Sequence, residues 1–371
     1  MCPESPECEV MARRAQGLLK RAARWLLIER LRVVPRSPYR PFALPVMARV
    51  LELRWASMLR RRRVLDLADY AATVEIGEAE ELVSCPLCGE RRVQPLFRPG
   101  KSGDWSYRVV RCPSCGMLYR NPNVRPERIG DLYGGGYARF LTGTYAQNRQ
   151  DDYRLALDAF GGLFADGAGR RLLDYGCGVG LFLEVARERG FDGCGVDLAP
   201  DAVQEARQRG LRVWHGSPPD VPEVAAGGFD VVTLWSVLAH LPRPIDDLAM
   251  LRGLLAHNGV LLVYTVNSNS LLLKAYGAGW GGFTPNHLVF SSPTTLPQIL
   301  RAAGFPAVVL RPMYGGGVER GEARLSTRQE RRLRRAVERG NQGTMLRAAA
   351  FASSNDPRAS GMRAGAPGAG A

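Results

Sequence analysis

A short apolar strand that ends in an acid and a glycine-rich turn is the part of the sequence best suited to hold a ligand. The stretch RLLDYGCGVG places the acid at Asp174 and glycines at Gly176, Gly178 and Gly180. Glycine adopts turn dihedrals that other residues avoid, and it lets the backbone approach a ligand closely. The following LFLEVARERG has helical periodicity, so the turn lies where a strand passes into a helix. This position predicts a cofactor site.

A second acid belongs to the same predicted site. The stretch FDGCGVDLAP predicts a strand that ends at Asp197, 17 residues beyond Gly180. An acid at the tip of the second strand can accept hydrogen bonds from both hydroxyls of a ribose. A nicotinamide dinucleotide site shares this feature, so the turn and Asp197 predict a nucleoside-containing cofactor without naming it.

Two further strands narrow the class of protein. FDVVTLWSVLAHL, residues 229–241, predicts a buried strand that runs into a loop, and GVLLVYTVN, residues 259–267, predicts a strand after a turn at Asn258 and Gly259. In order and spacing, these elements resemble the class I S-adenosylmethionine-dependent methyltransferases over about residues 150–312. The resemblance implies a Rossmann-like, doubly wound α/β sheet that binds S-adenosylmethionine. A doubly wound domain without a cofactor is the alternative.

The resemblance implies a set of cofactor contacts. It places Asp174 near the methionine amino group, Asp197 at the ribose hydroxyls and Leu198 against the adenine. Ser217 stands where the family often has an acid that pairs with the adenine amine, with Asp220 as a nearby substitute. The full set includes the backbone of the glycine turn and two residues at the end of the fourth strand that would border both cofactor and substrate: Asp174, Gly176, Cys177, Gly178, Gly180, Asp197, Leu198, Ser217, Trp235 and Ser236.

Two histidines are the candidates for removing a proton from an acceptor. Methyl transfer requires alignment of a nucleophile with the activated methyl group and, for a hydroxyl acceptor, a general base. Of the four histidines, His240 and His287 are expected in this role, whereas His215 and His257 are expected near strand ends and turns away from the pocket. His240 stands where the family often has a histidine preceded by glutamate, and here the preceding residue is Ala239. A hydrogen-bonded structural histidine is the alternative in each case.

The segment after the fifth predicted strand is expected to close over the acceptor. GAGWGGFTPNHLVFSSPTTLPQILRAAGF, residues 277–305, resembles a pattern of a bacterial methyltransferase subfamily. The resemblance implies that Trp280, Phe283, His287 and Phe290 line an aromatic-walled pocket for a small-molecule acceptor. Core packing is the alternative for its apolar residues.

Two CxxC pairs form the second group of residues suited to chemistry. They are Cys85 with Cys88 and Cys112 with Cys115, separated by 23 residues and each followed by glycine. Four thiolates on two such turns can surround one tetrahedral zinc ion, and this closed site leaves no coordination position for catalysis. We therefore predict a zinc ribbon with a structural metal, with disulfides as the alternative. A ribbon followed by YRNP and a tyrosine-rich connector also resembles the same subfamily, whose members act on sugars, polyketides and other small metabolites.

The elements that must position these residues divide the chain into five predicted parts. They are a basic helical extension (1–80), the zinc ribbon (81–122), a connector (123–150), the methyltransferase domain (151–318), and a basic helix with a disordered tail (319–371). AVVLRPM predicts a sixth strand, but the expected closing pair of strands is incomplete. An incomplete sheet has an exposed edge, which a helix or the second subunit of a homodimer would cover.

The positive charge is concentrated at the two ends of the chain. Of the net charge of +14, residues 11–63 carry +13 and residues 319–371 carry +6, so the rest of the chain carries about −5. The predicted catalytic domain therefore has no strong positive excess, and a nucleic-acid substrate held along the whole enzyme is not expected.

Two other functions stay open at this point. Zinc ribbons also bind nucleic acid, so an RNA or protein methyltransferase is one alternative if the ribbon presents basic and aromatic residues on one face. A non-catalytic cofactor-binding scaffold is the other, favoured by Ala239 and the incomplete sheet. The arginines that keep the first alternative open are Arg91, Arg92, Arg108 and Arg111.

The basic N-terminal region predicts two amphipathic helices. One covers about residues 11–34, the segment PRSPYRPFALP interrupts it, and the second runs from Val46 to the arginines at 60–63. Such helices lie on an anionic membrane surface or pack on the domain or on a partner protein. Without a signal peptide in the sequence, we expect a cytoplasmic protein. If the helices bind a membrane, we expect peripheral contact with the inner membrane surface.

Overall fold

The structure is a computed structural model that describes residues 40–98, 108–133, 143–313, 341–354 and 356–359. Within these ranges the strands are β1 (Glu80–Glu81), β2 (Gln94–Phe97), β3 (Val109–Arg111), β4 (Leu118–Arg120), β5 (Asn123–Val124), β6 (Arg171–Tyr175), β7 (Asp192–Asp197), β8 (Val213–His215), β9 (Phe229–Trp235), β10 (Leu255–Val266), β11 (Val289–Phe290), β12 (Ala307–Met313) and β13 (Met345–Phe351). The α-helices are α1 (Arg40–Arg61), α2 (Leu67–Ala71), α3 (Gly143–Asp158), α4 (Leu181–Glu188), α5 (Pro200–Gln208), α6 (Pro222–Ala225), α7 (Pro244–Gly253), α8 (Leu271–Tyr276) and α9 (Thr295–Ala302).

The centre of the fold is a seven-stranded mixed sheet with the order β12-β13-β10-β9-β6-β7-β8. β10, β9, β6, β7 and β8 are parallel to one another, and β13 runs antiparallel to both β10 and β12. The carboxyl ends of β6, β7 and β9 therefore meet at one edge of the sheet, where open α/β sheets bind ligands. This sheet confirms the predicted Rossmann-like architecture.

The sheet is complete, so the prediction of an incomplete closing pair was wrong. β13 inserts between β10 and β12, and Phe351 faces Val260 on one side and Ala307 on the other. The sequence of this strand, MLRAAAF, was missed because alanine has a low strand propensity and the run follows a long basic stretch. The sheet thus extends beyond residue 318, the predicted end of the methyltransferase domain. A helix or a second subunit is not needed in place of the missing strand.

The strands alternate side chains between two apolar layers. Leu172 and Val231 point to the layer that holds α3, α4 and α5, whereas Leu173 and Val232 point to the layer that holds α7 and α9. All four are at most 1% exposed. Burying such side chains contributes about 1.5–3 kcal/mol each, so both faces of the sheet stabilise the strand ends that carry the site.

The cysteine-rich region is built into the same core. Its strands form a four-stranded sheet with the order β11-β4-β3-β2, in which β11 comes from the segment after the fifth predicted strand. Val289 faces Tyr119 and Phe290 faces Leu118 across the β11-β4 pair. The apolar residues around the cysteines also belong to the core layer that contains α7 and α9. The ribbon region and the segment expected to close over the acceptor are therefore one packed unit.

The basic helix α1 packs on the domain. It begins at Arg40, earlier than the predicted Val46, because Pro41 lies in the first turn, where a backbone N–H has no intrahelical acceptor. The expected helix over residues 11–34 and the basic helix after residue 319 lie outside the described residues. Among the helices that the structure describes, none combines the length and apolar character required to cross a bilayer.

Candidate active site

The glycine turn has backbone geometry that other residues would disrupt. Gly176, Gly178 and Gly180 have φ angles of 74°, 53° and 80°. A Cβ on Gly176 would lie 2.4 Å from Val237 Cγ2, and a Cβ on Gly180 would lie 2.2 Å from Leu211 Cδ1. Close packing and positive φ together explain why glycine is required at these positions.

Asp197 lies at the end of β7 and fixes the turn. Its Oδ2 accepts a hydrogen bond from Gly178 N at 2.7 Å, and its Oδ1 accepts one from Ala199 N at 2.8 Å. Burial raises the pKa of this carboxyl, and the two backbone donors oppose that rise. Each carboxylate oxygen can accept a second hydrogen bond, so Asp197 can still bind the hydroxyls of a ligand.

Asp174 lies inside the same strand edge and is 1% exposed. Thr233 Oγ1 on the neighbouring β9 donates a hydrogen bond to Asp174 Oδ1 at 2.7 Å. Burial raises the pKa of Asp174 to about 7, with a smaller contribution from the negative charge of Asp197. A cationic ligand group would favour the carboxylate form and lower this pKa.

Cys177 packs inside the turn. A Cβ on Gly195, in the neighbouring β7, would lie 2.6 Å from Cys177 Cβ, so the two residues hold the turn against the strand. Burial raises the pKa of the Cys177 thiol, which keeps it protonated. The structure thus gives this side chain a packing role, and a ligand contact would come from its backbone.

The structure brings a carboxylate to Ser217. Ser217 Oγ donates a hydrogen bond to Asp220 Oδ2 at 2.6 Å, and this bond lowers the pKa of Asp220. Beside them, His215 Nε2 is 3.2 Å from the carbonyl oxygen of Leu198. His215, Ser217, Asp220 and Leu198 together form the outer edge of the predicted cofactor site.

The end of β9 carries a buried N–H group for which the described part of the chain supplies no acceptor. The Trp235 ring lies 4.7 Å from the rings of both Tyr153 and Phe182, centroid to centroid, and its Nε1 has no hydrogen-bond partner among the described residues. The next residue, Ser236, has a φ of 65° and donates its N–H to the carbonyl of Tyr264 at 2.8 Å. An orphan donor and a strained backbone at one strand end are typical of a ligand site.

The loop after β9 joins the glycine turn to the histidines. Val237 contacts Gly176, and His240 N donates to the Val237 carbonyl at 2.8 Å. The His240 and His287 rings are 4.9 Å apart, centroid to centroid. The two candidate bases therefore lie together, and the turn from Val237 to His240 connects them to the predicted cofactor site.

His240 is held by a tyrosine of the connector. Its Nδ1 shares a 2.5 Å hydrogen bond with the Tyr133 hydroxyl, and the two rings stack with centroids 5.9 Å apart. Burial lowers the pKa of His240 to about 3, and His287 adds a smaller lowering. His240 is therefore neutral at physiological pH. The sequence indicated a tyrosine-rich connector but not that Tyr133 reaches this histidine.

His287 is a neutral histidine with one ring nitrogen available. Its Nδ1 lies 2.7 Å from the Gly282 carbonyl oxygen, which can only accept, so Nδ1 carries the proton. Among the described residues, none hydrogen-bonds to its Nε2. Burial lowers the pKa of His287, and the Gly282 bond opposes this lowering. A neutral imidazole with a free lone pair is the form that acts as a general base.

A cluster of aromatic rings lies on one side of His287 and contacts it through Phe290. Phe283 lies 5.0 Å from both Trp280 and Phe290, and Phe290 lies 6.3 Å from His287, centroid to centroid. The structure therefore brings together the four residues that the sequence assigned to one pocket. Trp280 and Phe290 are 3% and 0% exposed and belong to a hydrophobic cluster, as the core-packing alternative expects. It adds Phe97 from the ribbon region, 5.6 Å from Phe283. Only the contacts between distant segments could have identified Phe97.

A buried ion pair anchors the His287 segment to the ribbon. Arg120 forms an ion pair with Glu80 and donates from Nη1 to the Pro285 carbonyl at 2.6 Å. Its backbone N–H donates to the Leu288 carbonyl at 2.8 Å, and Leu288 N donates to the Ala239 carbonyl at 2.7 Å. His287 is thus fixed on both sides by backbone contacts. Glu80 and Arg120 carry no sequence signal for this role, because it depends on packing between distant segments.

The four cysteines converge on one point. Their Sγ atoms all lie within 4.8 Å of one another, and the Cys85–Cys115 and Cys88–Cys112 pairs are 3.5 Å apart. All four are free cysteines. With Zn–S bonds of about 2.3 Å, a tetrahedral site has sulfur atoms about 3.8 Å apart. Cys115 N also donates to Cys112 Sγ at 3.4 Å, as expected for a thiolate ligand. The donor set therefore fits zinc.

Two of the four ribbon arginines are engaged within the fold. Arg92 forms an ion pair with Glu90 at 2.8 Å, and Arg108 Nη2 donates to the Thr73 carbonyl at 2.7 Å. These contacts weaken the case for a ribbon surface that binds nucleic acid.

Comparisons with known proteins identify the class of protein to which this fold belongs. Residues 145–309 match the profile of a family described as a methyltransferase domain. A ubiquinone biosynthesis O-methyltransferase of Xanthomonas axonopodis pv. citri is 34% identical over 178 residues, which cover 44% of this chain and 73% of that protein. The chain belongs to the class I S-adenosylmethionine-dependent methyltransferases.

One further relative matches over a shorter share of its length, and one solved structure matches over most of its own chain. A ubiquinone biosynthesis O-methyltransferase of Psychrobacter arcticus is 33% identical over 153 residues, covering 37% of this chain, and the aligned part spans 60% of that relative. A crystal structure of a SAM-dependent methyltransferase from Archaeoglobus fulgidus is 21% identical with a TM-score of 0.43, covering 56% of this chain and 94% of that chain.

Proposed function

We propose that the protein transfers the methyl group of S-adenosylmethionine to a hydroxyl oxygen of a small-molecule acceptor. The observation that carries this proposal is the neutral His287. Its Nε2 has no hydrogen-bond partner among the described residues, and its ring lies 4.9 Å, centroid to centroid, from that of His240 in the loop after β9. Two relatives over 30% identical are named O-methyltransferases, which supports transfer to oxygen.

The cofactor would lie along the carboxyl ends of β6, β7 and β9. Asp174 would face the methionine amino group, whose positive charge would favour the carboxylate of this buried acid. Asp197 would accept hydrogen bonds from the ribose hydroxyls, with Leu198 and the Ser217–Asp220 pair on the adenine side. The orphan N–H of Trp235 is a donor that a bound cofactor can satisfy.

The acceptor would lie between the histidine pair and the aromatic rings. The acceptor hydroxyl would donate its proton to His287 Nε2 while its oxygen bonds to the methyl carbon, and the bond from that carbon to the cofactor sulfur would break. The products are the methylated acceptor, S-adenosylhomocysteine and the protonated imidazole, which then releases its proton to water. The ring-lined surroundings favour an acceptor with an apolar or planar body, such as a polyketide or a cell-envelope or other secondary metabolite, with a sugar as the polar member of this group.

We also propose that Cys85, Cys88, Cys112 and Cys115 bind one structural zinc ion. A four-thiolate site leaves no open position, so the metal would stabilise the ribbon rather than take part in methyl transfer. Because β4 of the ribbon pairs with β11, the metal site would also keep the His287 segment in place.

The non-catalytic alternative loses one of its two supports, because the sheet is complete. The Ala239 position remains, but the Ala239 carbonyl holds Leu288 next to His287. Neither the sheet nor Ala239 thus argues against catalysis.

The proposed function is tested by measuring how much S-adenosylhomocysteine the enzyme releases with each of a panel of acceptors. The zinc-loaded protein would be incubated with S-adenosylmethionine and catechols, simple phenols, hydroxylated polyketides or sugar nucleotides. Turnover with a hydroxylated member, lost in His287→Ala, is the expected result. Failure of the zinc-loaded protein to bind S-adenosylmethionine would overturn the proposal.

A further inference from the structure

Helix α1 has one face packed on the domain. Trp55, Met58 and Leu59 pack against the aromatic cluster that contains Trp280 and Phe290. The only acid of residues 40–63, Glu52, is directed inward, where it pairs with Lys274 and accepts a hydrogen bond from Gln342 Nε2 at 2.5 Å. These contacts fix the orientation of the helix, and they therefore determine which residues lie on its opposite, exposed face.

The opposite face of α1 is cationic with apolar residues at its centre. Val50 and Leu53 are 47% and 54% exposed and lie one turn apart. Exposed arginines flank them and continue past the end of the helix, and none of these arginines forms an ion pair with a described residue: Arg49, Arg54, Arg60, Arg61, Arg62 and Arg63. Those of residues 49–63 that lie on this outer face of α1 include no acid, and no residue that the structure describes compensates their charge.

Charge restricts what can cover this outer face. The preceding residues 11–39 carry a net charge of +7, so they repel the face, and a second copy of α1 would repel it in the same way. The complementary partner is therefore anionic. The exposed Val50 and Leu53 favour a lipid surface over nucleic acid, because phosphate recognition uses cations whereas an interfacial helix also inserts apolar side chains.

A continuous chain of rings connects α1 to the histidine pair. Trp55 lies 5.9 Å from Phe97, Phe97 lies 5.6 Å from Phe283, and Phe283 lies 5.0 Å from Phe290, centroid to centroid. Phe290 in turn contacts the ring of His287 at 6.3 Å. The helix with the cationic face is thus packed directly on the aromatic side of the candidate site.

We propose that the outer face of α1 docks on an anionic membrane surface. Val50 and Leu53 insert at the level of the headgroups, and the flanking arginines bind their phosphates. Docking there places the ring chain next to the bilayer, so an acceptor with an apolar tail reaches His287 from the lipid. Only this last statement rests on the proposed function.

Co-sedimentation with vesicles tests the docking face in the full-length, zinc-loaded protein. We expect binding to vesicles that contain phosphatidylglycerol, little binding to pure phosphatidylcholine, and weaker binding at high salt. Each basic residue near an anionic surface contributes about 1 kcal/mol, or about fivefold, so Arg49→Gln with Arg54→Gln should weaken binding about 25-fold. Leu53→Glu should weaken it further.

Matched controls come from other exposed helices. Leu155 on α3 is 59% exposed, and Arg187 on α4 is exposed and without an ion pair among the described residues. Leu155→Glu and Arg187→Gln should leave vesicle binding unchanged, and circular dichroism confirms that each variant is folded.

Three results would overturn the proposal: equal affinity for neutral vesicles, an equal loss in the control variants, or binding to an RNA oligonucleotide without binding to vesicles. S-adenosylmethionine affinity, measured in parallel by calorimetry, is expected to be the same in every variant. If the wild-type protein did not bind S-adenosylmethionine, the proposed function would be contradicted, but the result on membrane docking would be unaffected.

Discussion

The cofactor half and the acceptor half of the candidate site are built in different ways. The cofactor half consists of Asp174, the glycine turn and Asp197, which lie close in sequence at the ends of adjacent parallel strands. The acceptor half joins Tyr133 to His240 across 107 residues and Arg120 to the Pro285 carbonyl across 165 residues. One half depends on a local motif, and the other depends on packing between distant segments.

This difference implies that the two halves can be damaged separately. The glycine turn is held by strands whose side chains are buried on both faces of the sheet. The His287 segment is held by the ribbon, through β11-β4 pairing and the Glu80–Arg120 ion pair. Substitutions in the ribbon or at the histidines should therefore spare cofactor binding, and substitutions at Asp197 should not.

The largest expected effect is on methyl transfer in His287→Ala. Loss of a general base lowers kcat by about 10²- to 10⁴-fold. Because burial lowers the pKa of His287, the wild-type rate should stay constant as the pH falls through about 6.5, the ordinary histidine pKa. The rate of S-adenosylhomocysteine release at saturating acceptor and saturating S-adenosylmethionine measures both effects. His257→Ala, at an exposed histidine, is the control and should retain full activity; an equal loss there would contradict the assignment.

The second-largest expected effect is a loss of folding stability in the variant Arg120→Met. This change leaves Glu80 buried without its partner, which costs about 3–5 kcal/mol. Urea unfolding measures the loss. The adjacent Glu81–Arg125 pair, with a 3.9 Å separation at the surface, supplies the control Arg125→Met, which should cost about 0–1 kcal/mol. Similar losses in the two variants would show that Arg120 does not anchor this half of the site.

Asp197→Ala should weaken cofactor binding by a smaller amount. Removing hydrogen bonds to a charged group costs on the order of 1.5–3 kcal/mol, or about 10- to 150-fold in Kd. Asp192, at the exposed start of the same strand, gives the control Asp192→Ala, which should bind S-adenosylmethionine normally. Calorimetry measures both constants, and unchanged affinity in Asp197→Ala would mean that the strand register assigned to the cofactor is wrong.

The smallest effect is the pH dependence of cofactor binding. Burial gives Asp174 a pKa of about 7, so a bound ammonium group must displace a proton at lower pH. Affinity for S-adenosylmethionine should therefore fall as the pH decreases from about 7, by at most about tenfold per pH unit, and level off above it. Asp174→Asn should bind weakly and without this dependence. A wild-type affinity that rises at low pH would contradict the role given to Asp174.

The local character of the cofactor half also explains why it could be predicted from the sequence. The strand, the turn and the acid at Asp197 follow one another within a short stretch, and hydrophobic patterns indicate each strand. The CxxC spacing likewise predicted the convergence of four cysteines, which the structure shows. In these regions the residues that act together are neighbours in sequence or share a fixed spacing.

The contacts of the acceptor half could not be predicted in the same way. His287 was recognised through a family resemblance, but its Gly282 partner, the Tyr133–His240 bond and the Arg120 anchor depend on which segments pack together. β13 was missed because its alanine-rich sequence has weak strand character, and its pairing with β10 and β12 stabilises it. Tertiary contacts decided these features.

Titration of S-adenosylmethionine into the wild-type protein, Asp197→Ala and His287→Ala tests the separation of the two halves most directly. The wild-type protein and His287→Ala should bind with the same affinity, and Asp197→Ala should bind about 10- to 150-fold more weakly. No binding to the zinc-loaded wild-type protein, or a loss in His287→Ala equal to that in Asp197→Ala, would contradict this account of the site.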